Sequence, residues 1–249
     1  MLFLILLFSL ASCKNDDEFT PYGGRSQSDT STSPEIITVD IPENHEINFE
    51  LDTLTYLALG DSYTIGTGVE KSDRWPNQFV EKLKSIKIHV NNAEIVAGAG
   101  WTAGDLLKVL EDRKLVAKYD LVSLLIGVNN QYQGGLFTTF QQEFIDLLKF
   151  SMEKSESRNS IFVLSIPDYG ITPFGGKQAQ ISDEIDMYNS WIKETCEANK
   201  IKYYNITEIS RKAENDFRLL AKDELHPSGI MYTEWINMII KDLPDILQQ

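Results

Sequence analysis

Ser62 lies in Gly60-Asp61-Ser62-Tyr63-Thr64, where a short apolar run (Thr55 to Leu59) gives way to a turn. A serine hydroxyl is a weak nucleophile unless a neighbouring base takes its proton and a third group orients that base. The chain has three histidines. His45 precedes the region of regular patterning, and His89 falls near the start of the second expected strand, away from the end where Ser62 would emerge. That leaves His226, in Asp223-Glu224-Leu225-His226-Pro227, where an aspartate three residues earlier can fold back onto the imidazole Nδ1–H. Ser62, His226 and Asp223 thus have the residue types for nucleophilic catalysis with a general base. Taken singly, Gly-Asp-Ser is a common turn and Asp-x-x-His-Pro reads equally well as a helix cap. The case rests on their joint placement.

Catalytic groups of this kind need a scaffold. From Leu54 onward, short apolar runs alternate with amphipathic segments, the pattern of a parallel sheet covered by helices on both faces. Strands are expected at Thr55 to Leu59, Ala93 to Ala97, Leu121 to Ile126, Ile161 to Ile166 and Lys202 to Asn205, all rich in Val, Ile, Leu, Tyr or Phe. Helices are expected at Trp75 to Ser85, with Pro76 in its first turn, and at Ala103 to Leu115, Thr139 to Lys154, Ser182 to Asn199, Ser210 to Ala221 and Ser228 to Leu247. The fold class is therefore α/β, a three-layer α/β/α sandwich around a flavodoxin-like five-stranded parallel sheet. Its ligand crevice opens at the carboxyl ends of the strands.

With these elements in place the chain resembles the GDSL, or SGNH, hydrolase family between about Tyr56 and Trp235. The family has a Gly-Asp-Ser block near its start and Asp-x-x-His near its end. Its two middle blocks have counterparts after strands: Gly98-Ala99-Gly100-Trp101-Thr102-Ala103-Gly104-Asp105 is similar to Gly-x-Thr-x-x-Asp, and Gly127-Val128-Asn129-Asn130 is similar to Gly-x-Asn-Asp. The resemblance implies a catalytic Ser62, His226 and Asp223. It also implies an oxyanion hole built from the backbone N–H of Ser62, the backbone N–H of Gly100 and the side-chain amide of Asn129. Gly98 is the competing glycine for that N–H, and a glycine-rich turn also accounts for both. Asn130 stands where the family has aspartate. Substrate contacts are expected from Asp61, Asn130, Tyr132 and Tyr169, and the wall after the third block (Gln131, Tyr132, Gln133) and the fourth strand (Asp168, Tyr169, Gly170) has a polar and aromatic mix that suits a hydroxylated ligand.

The implied activity is hydrolysis of carboxylic esters through an acyl-enzyme, with a carbohydrate O-acetyl ester as the favoured substrate. Lipase, lysophospholipase and thioesterase action are alternatives on the same fold, and a non-catalytic glycan-binding module is an alternative of another class. No cofactor is required. No metal site is expected, because Cys13 and Cys196 are the only cysteines and lack zinc-ligand spacing. Cys196, in a segment of helical character, reads as a core residue. A formal charge of −14 with no basic stripe argues against nucleic acid as a partner.

The N-terminal residues 1–12 read as a signal peptide, because the apolar run Leu2 to Leu10 is too short for a bilayer span. Leu10-Ala11-Ser12-Cys13 resembles a bacterial lipoprotein signal, which implies lipidation of Cys13. The mature chain would then be anchored in the cell envelope, at the periplasmic or surface face of an outer membrane. Residues 13–50 form a tether poor in core-forming residues, within which Glu35 to Pro42 is either a candidate edge strand or a surface segment. Residues 51–249 form the single catalytic domain.

Overall fold

The computed structural model describes residues 33–44 and 52–242. Five strands form one parallel sheet: β1 (Tyr56–Gly60), β2 (Glu94–Ala97), β3 (Leu121–Leu125), β4 (Ile161–Leu164) and β5 (Lys202–Tyr204), in the order β2-β1-β3-β4-β5. This is the flavodoxin-like order expected from the sequence. The central strands β1, β3 and β4 are buried throughout, which explains why they read as near-continuous apolar runs rather than alternating ones. The one polar residue inside β3, Ser123, shares a 2.8 Å hydrogen bond with the Tyr56 hydroxyl.

Among the described residues, eight α-helices accompany the sheet: α1 (Ser62–Ile65), α2 (Trp75–Ser85), α3 (Ala103–Asp112), α4 (Val128–Tyr132), α5 (Phe137–Lys154), α6 (Ala179–Ala198), α7 (Thr207–Arg211) and α8 (Gly229–Lys241). Helix α2 packs against α8, and α3 against α5. Phe140 and Phe144 of α5 meet Trp191 of α6 edge-on, with ring centroids 6.1 and 5.8 Å apart. Cys196, on the inner side of α6, is fully buried, as a core residue should be.

One sequence expectation is corrected. Ser210 to Ala221 is not one helix. Helix α7 ends at Arg211, and short 3₁₀ turns at Lys212–Glu214 and Phe217–Leu219 follow. Asp216 caps the second of these turns, its carboxylate accepting the Arg218 N–H. Of the two readings left open for Glu35 to Pro42, the edge strand does not form. The segment lies as an extended strap against the turns at Arg158 and Asn199, with Asn199 accepting the Ile37 N–H at 2.7 Å and donating to the Glu35 carbonyl at 2.8 Å. Residues 33–44 of the expected tether therefore pack on the domain. The signal segment, Cys13 and His45 lie outside the described residues.

Candidate active site

Parallel strands that lie side by side deliver their following loops to one edge of the sheet. Because β1 sits between β2 and β3, the loops carrying Ser62, Gly100 and Asn129 meet there. Ser62 opens α1, whose cap is Asp61: the Asp61 Oδ1 accepts the Tyr63 N–H at 3.0 Å. Gly127 caps α4 at φ 125°, and a β-carbon there would press on Phe140 at 2.7 Å, so only glycine permits the turn that presents Asn129.

The fourth contribution arrives from the loop before α8. Leu220 and Pro227 form an antiparallel bridge, and the loop between them turns on Glu224 at φ 58°. Its geometry sets Asp223 under the His226 ring. Asp223 Oδ1 accepts the backbone N–H groups of Leu225 (3.1 Å) and His226 (3.0 Å), while its Oδ2 lies 2.7 Å from His226 Nδ1. Burial works against ionisation of Asp223, but these donors from His226 and Leu225 outweigh it and hold the carboxyl below the usual range. A carboxylate at Nδ1 accepts the hydrogen bond of the N–H there and so keeps the ring proton on Nδ1, leaving Nε2 able to accept another. The Tyr63 ring braces His226 from the side, with centroids 5.6 Å apart.

Ser62, Gly100, Asn129 and His226 line one cavity of about 190 Å³, together with Tyr63, Ala99, Val128, Tyr132, Tyr169, Phe174 and Leu225. Asp223 stands behind His226. Asn129 Nδ2 donates to the Trp101 carbonyl at 2.9 Å, which fixes the amide and leaves its second N–H to point elsewhere. Gly100, at φ 79°, has open space where a β-carbon would be and lines the cavity. Gly98 does not line it and has a packing role instead: a β-carbon there would lie 2.2 Å from the Trp101 ring.

Of the expected substrate contacts, Tyr132 and Tyr169 line the cavity and Asp61 and Asn130 do not. Asp61 is 1% exposed and is turned inward as the α1 cap. Burial pushes its carboxyl up to about 7 against the Tyr63 N–H that lowers it, and its Oδ2 has no hydrogen-bond partner among the described residues. Both ends of the Asn130 amide are bound to protein: Oδ1 accepts the Ala103 N–H at 2.9 Å and Nδ2 donates to Glu143 at 3.0 Å.

The wall is also less polar than the sequence suggested. The Tyr169 hydroxyl donates to Gln131 at 2.7 Å, Gln133 donates to the Gly100 carbonyl at 3.0 Å, and Asp168 pairs with Arg211 at 3.0 Å. The rings of Tyr132, Tyr169 and Phe174 make up much of that wall. Tyr132 lies 5.9 Å from both Tyr169 and Phe174. Phe174 escaped the sequence reading, although an aromatic residue inside Pro173-Phe174-Gly175-Gly176 has little around it to pack on and is 50% exposed. No group of three or more side chains able to hold a metal ion occurs among the described residues.

A doubly wound sheet with a serine, a histidine–aspartate pair and amide donors at its carboxyl edge defines the architecture of an SGNH-type hydrolase. The chain belongs to the GDSL-like Lipase/Acylhydrolase family, whose model matches residues 58–233. Among solved structures it is similar to Axe2, an acetylxylan esterase from Geobacillus stearothermophilus. That match has 17% identity and a TM-score of 0.61, and covers 78% of this chain and 96% of that one. It is similar too to the psychrotrophic esterase EstA from Pseudoalteromonas sp., with 18% identity, a TM-score of 0.58 and coverage of 78% and 99%. A member of the lipolytic protein G-D-S-L family from Veillonella parvula has 14% identity, a TM-score of 0.61 and coverage of 75% and 96%. No curated protein sequence matches.

Proposed function

We propose that the protein hydrolyses small carboxylic esters through an acyl-enzyme on Ser62. The observation that carries this reading is the 2.7 Å contact of Asp223 with His226 Nδ1, beside a cavity that Ser62, Gly100 and Asn129 also line. The Ser62 Oγ attacks the ester carbonyl while His226 Nε2 takes its proton. Charge moves to the carbonyl oxygen, which the N–H groups of Ser62, Gly100 and Asn129 receive. The C–O bond to the alcohol then breaks, His226 returns the proton to the departing alkoxide, and the acyl group stays on Ser62. Water repeats the attack with His226 as base, the carboxylic acid leaves and Ser62 recovers its proton.

A carbohydrate O-acetyl ester is the substrate we favour. The cavity is below the roughly 300 Å³ at which pockets for drug-sized ligands begin, so it suits a short acyl group better than a fatty one. The exposed rings of Tyr132 and Phe174 at its rim offer faces on which a sugar ring can stack. The apolar side chains Val128, Phe174 and Leu225 favour a second reading, an ester of an apolar alcohol, as in lipase or lysophospholipase action. Rates on p-nitrophenyl acetate, butyrate and octanoate, followed by acetate release from acetylated xylo-oligosaccharides, separate them. Acetate turnover with rates falling by octanoate supports the first reading, and octanoate as the best substrate supports the second. A folded protein that turns over none of these esters and still binds glycans would be a binding module.

We further infer from the sequence that a lipid on Cys13 holds the domain at the cell envelope. Incorporation of a labelled fatty acid that Cys13→Ala abolishes is the expected result, and incorporation unaffected by that change would contradict it.

A further inference from the structure

The segment Gly100 to Ala103, which carries the proposed oxyanion N–H, is tied to α4 and its C-cap residue Gln133 at three points. The Gly100 carbonyl accepts from Gln133, the Trp101 carbonyl accepts from Asn129, and the Ala103 N–H donates to Asn130. The last tie depends on which way the Asn130 amide faces. An amide has an acceptor end and a donor end, and only its oxygen can take the Ala103 N–H. Its NH₂ end is claimed by Glu143 Oε2 on α5, an acceptor 3.0 Å away. Gly104 makes room for that carboxylate, because a β-carbon there would lie 2.5 Å from Glu143 Oε1.

We propose that Glu143 is a positioning residue for the oxyanion hole: by fixing the Asn130 amide it fixes the Ala103 N–H, and with it the loop that presents the Gly100 N–H. Glu143 touches neither substrate nor Ser62, and it does not line the cavity. The inference rests on the esterase reading above for its catalytic half. Its structural half is that α5, through one carboxylate, sets the start of α3.

Exchange of the two partners tests it. Asn130→Asp alone places a second carboxylate against Glu143 and removes the donor between them. Glu143→Gln alone keeps an acceptor within reach of Asn130 and should change little. Combined, Asn130→Asp with Glu143→Gln gives Glu143's position a donor and Asn130's position an acceptor for both neighbours. With p-nitrophenyl acetate as probe, Asn130→Asp should lower kcat roughly 10- to 100-fold, the scale of a small misplacement of a reacting group, with KM nearly unchanged. The double variant should recover to within about threefold of the native chain on the same scale.

Hydrogen exchange on the peptide spanning residues 98–105 gives a readout that needs no turnover. Protection at Ala103 should be lost in Asn130→Asp and in Glu143→Ala, and regained in the double variant. Should Asn130→Asp fail to fold, Glu143→Ala carries the same two expectations, lower kcat and lost protection. Native kcat and protection in Glu143→Ala, or a double variant no better than Asn130→Asp, would overturn the proposal. If the native protein hydrolyses no ester, the catalytic reading fails by itself, and the exchange data still decide whether Glu143 holds the loop.

Discussion

Asp61 and Ser62 are neighbours in the chain with opposite surroundings: the serine faces a cavity and the carboxyl is sealed beneath it. The resemblance led to Ser62, His226 and Asp223 because nucleophile, base and orienter lie in short segments whose order shows in the sequence. The inward turn of Asp61 and the double commitment of Asn130 were not legible there, since Asp61 caps a four-residue helix with no period to detect and the partners of Asn130 lie on two other helices. The Asp61 carboxyl, raised to about 7 by burial, makes a signed prediction. An acid whose folded-state pKa exceeds its unfolded one adds stability that is full below the unfolded value and is lost as pH rises through the folded one. Asp61→Asn keeps an oxygen for the Tyr63 N–H and removes the charge. Its stability relative to the native chain should therefore improve between pH 4 and pH 7, by up to about 1.4 kcal/mol per pH unit. Thermal melts across that range check this, and a difference independent of pH would contradict it. Asn129→Ala should lower kcat by roughly 100-fold or more with the fold intact, as measured by steady-state kinetics and a melt.

The strands were the most legible elements. Each lies within one to two residues of its expected bounds, because a short run rich in β-branched, aliphatic and aromatic residues is too short for a helix and suits a strand of a parallel sheet. Helix ends were less so. Helix α5 starts at Phe137, two residues before the expected Thr139, and the five-residue α4 went unseen because so short a helix has no period to detect. The expected helix breaks into two 3₁₀ turns after Arg211, the second capped by Asp216, whose carboxylate competes for a backbone N–H, a signal that propensity averages away. The second glycine block shows how such local detail reaches the site. Gly98→Ala would drive a β-carbon into the Trp101 ring, whose carbonyl holds Asn129. Loss of both stability and kcat is expected, measured by melting temperature and turnover together. A variant that keeps native activity would show that this ring packing does not set the loop.

At the scale of the whole molecule, the strap of residues 33–44 joins parts of the chain far apart in sequence, and its anchor was invisible to patterning. Asn199, beyond the end of α6, holds the strap through Ile37 and Glu35 and also donates to the Thr195 carbonyl at 2.9 Å. Arg158 assists, donating its backbone N–H to the Pro42 carbonyl at 2.8 Å and its guanidinium to the Asn199 carbonyl at 3.0 Å. A polar residue that satisfies several buried groups at once gives no periodic signal. Asn199→Ala should cost about 1 to 3 kcal/mol in denaturant unfolding, the penalty for stranding buried partners. The kcat should stay within twofold or so, because removing the strap's hydrogen bonds changes no group that binds the reacting ester. A large fall in kcat would mean that the strap and the crevice communicate.

The central claim is that Ser62 is a nucleophile activated by His226, and its most direct test is intact-mass and peptide mapping after reaction with a fluorophosphonate that captures activated serines. One adduct per chain is expected, on the peptide containing Ser62, absent in Ser62→Ala and formed far more slowly in His226→Ala. A folded protein that takes up no label, or takes it up elsewhere with Ser62→Ala unaffected, would contradict the account.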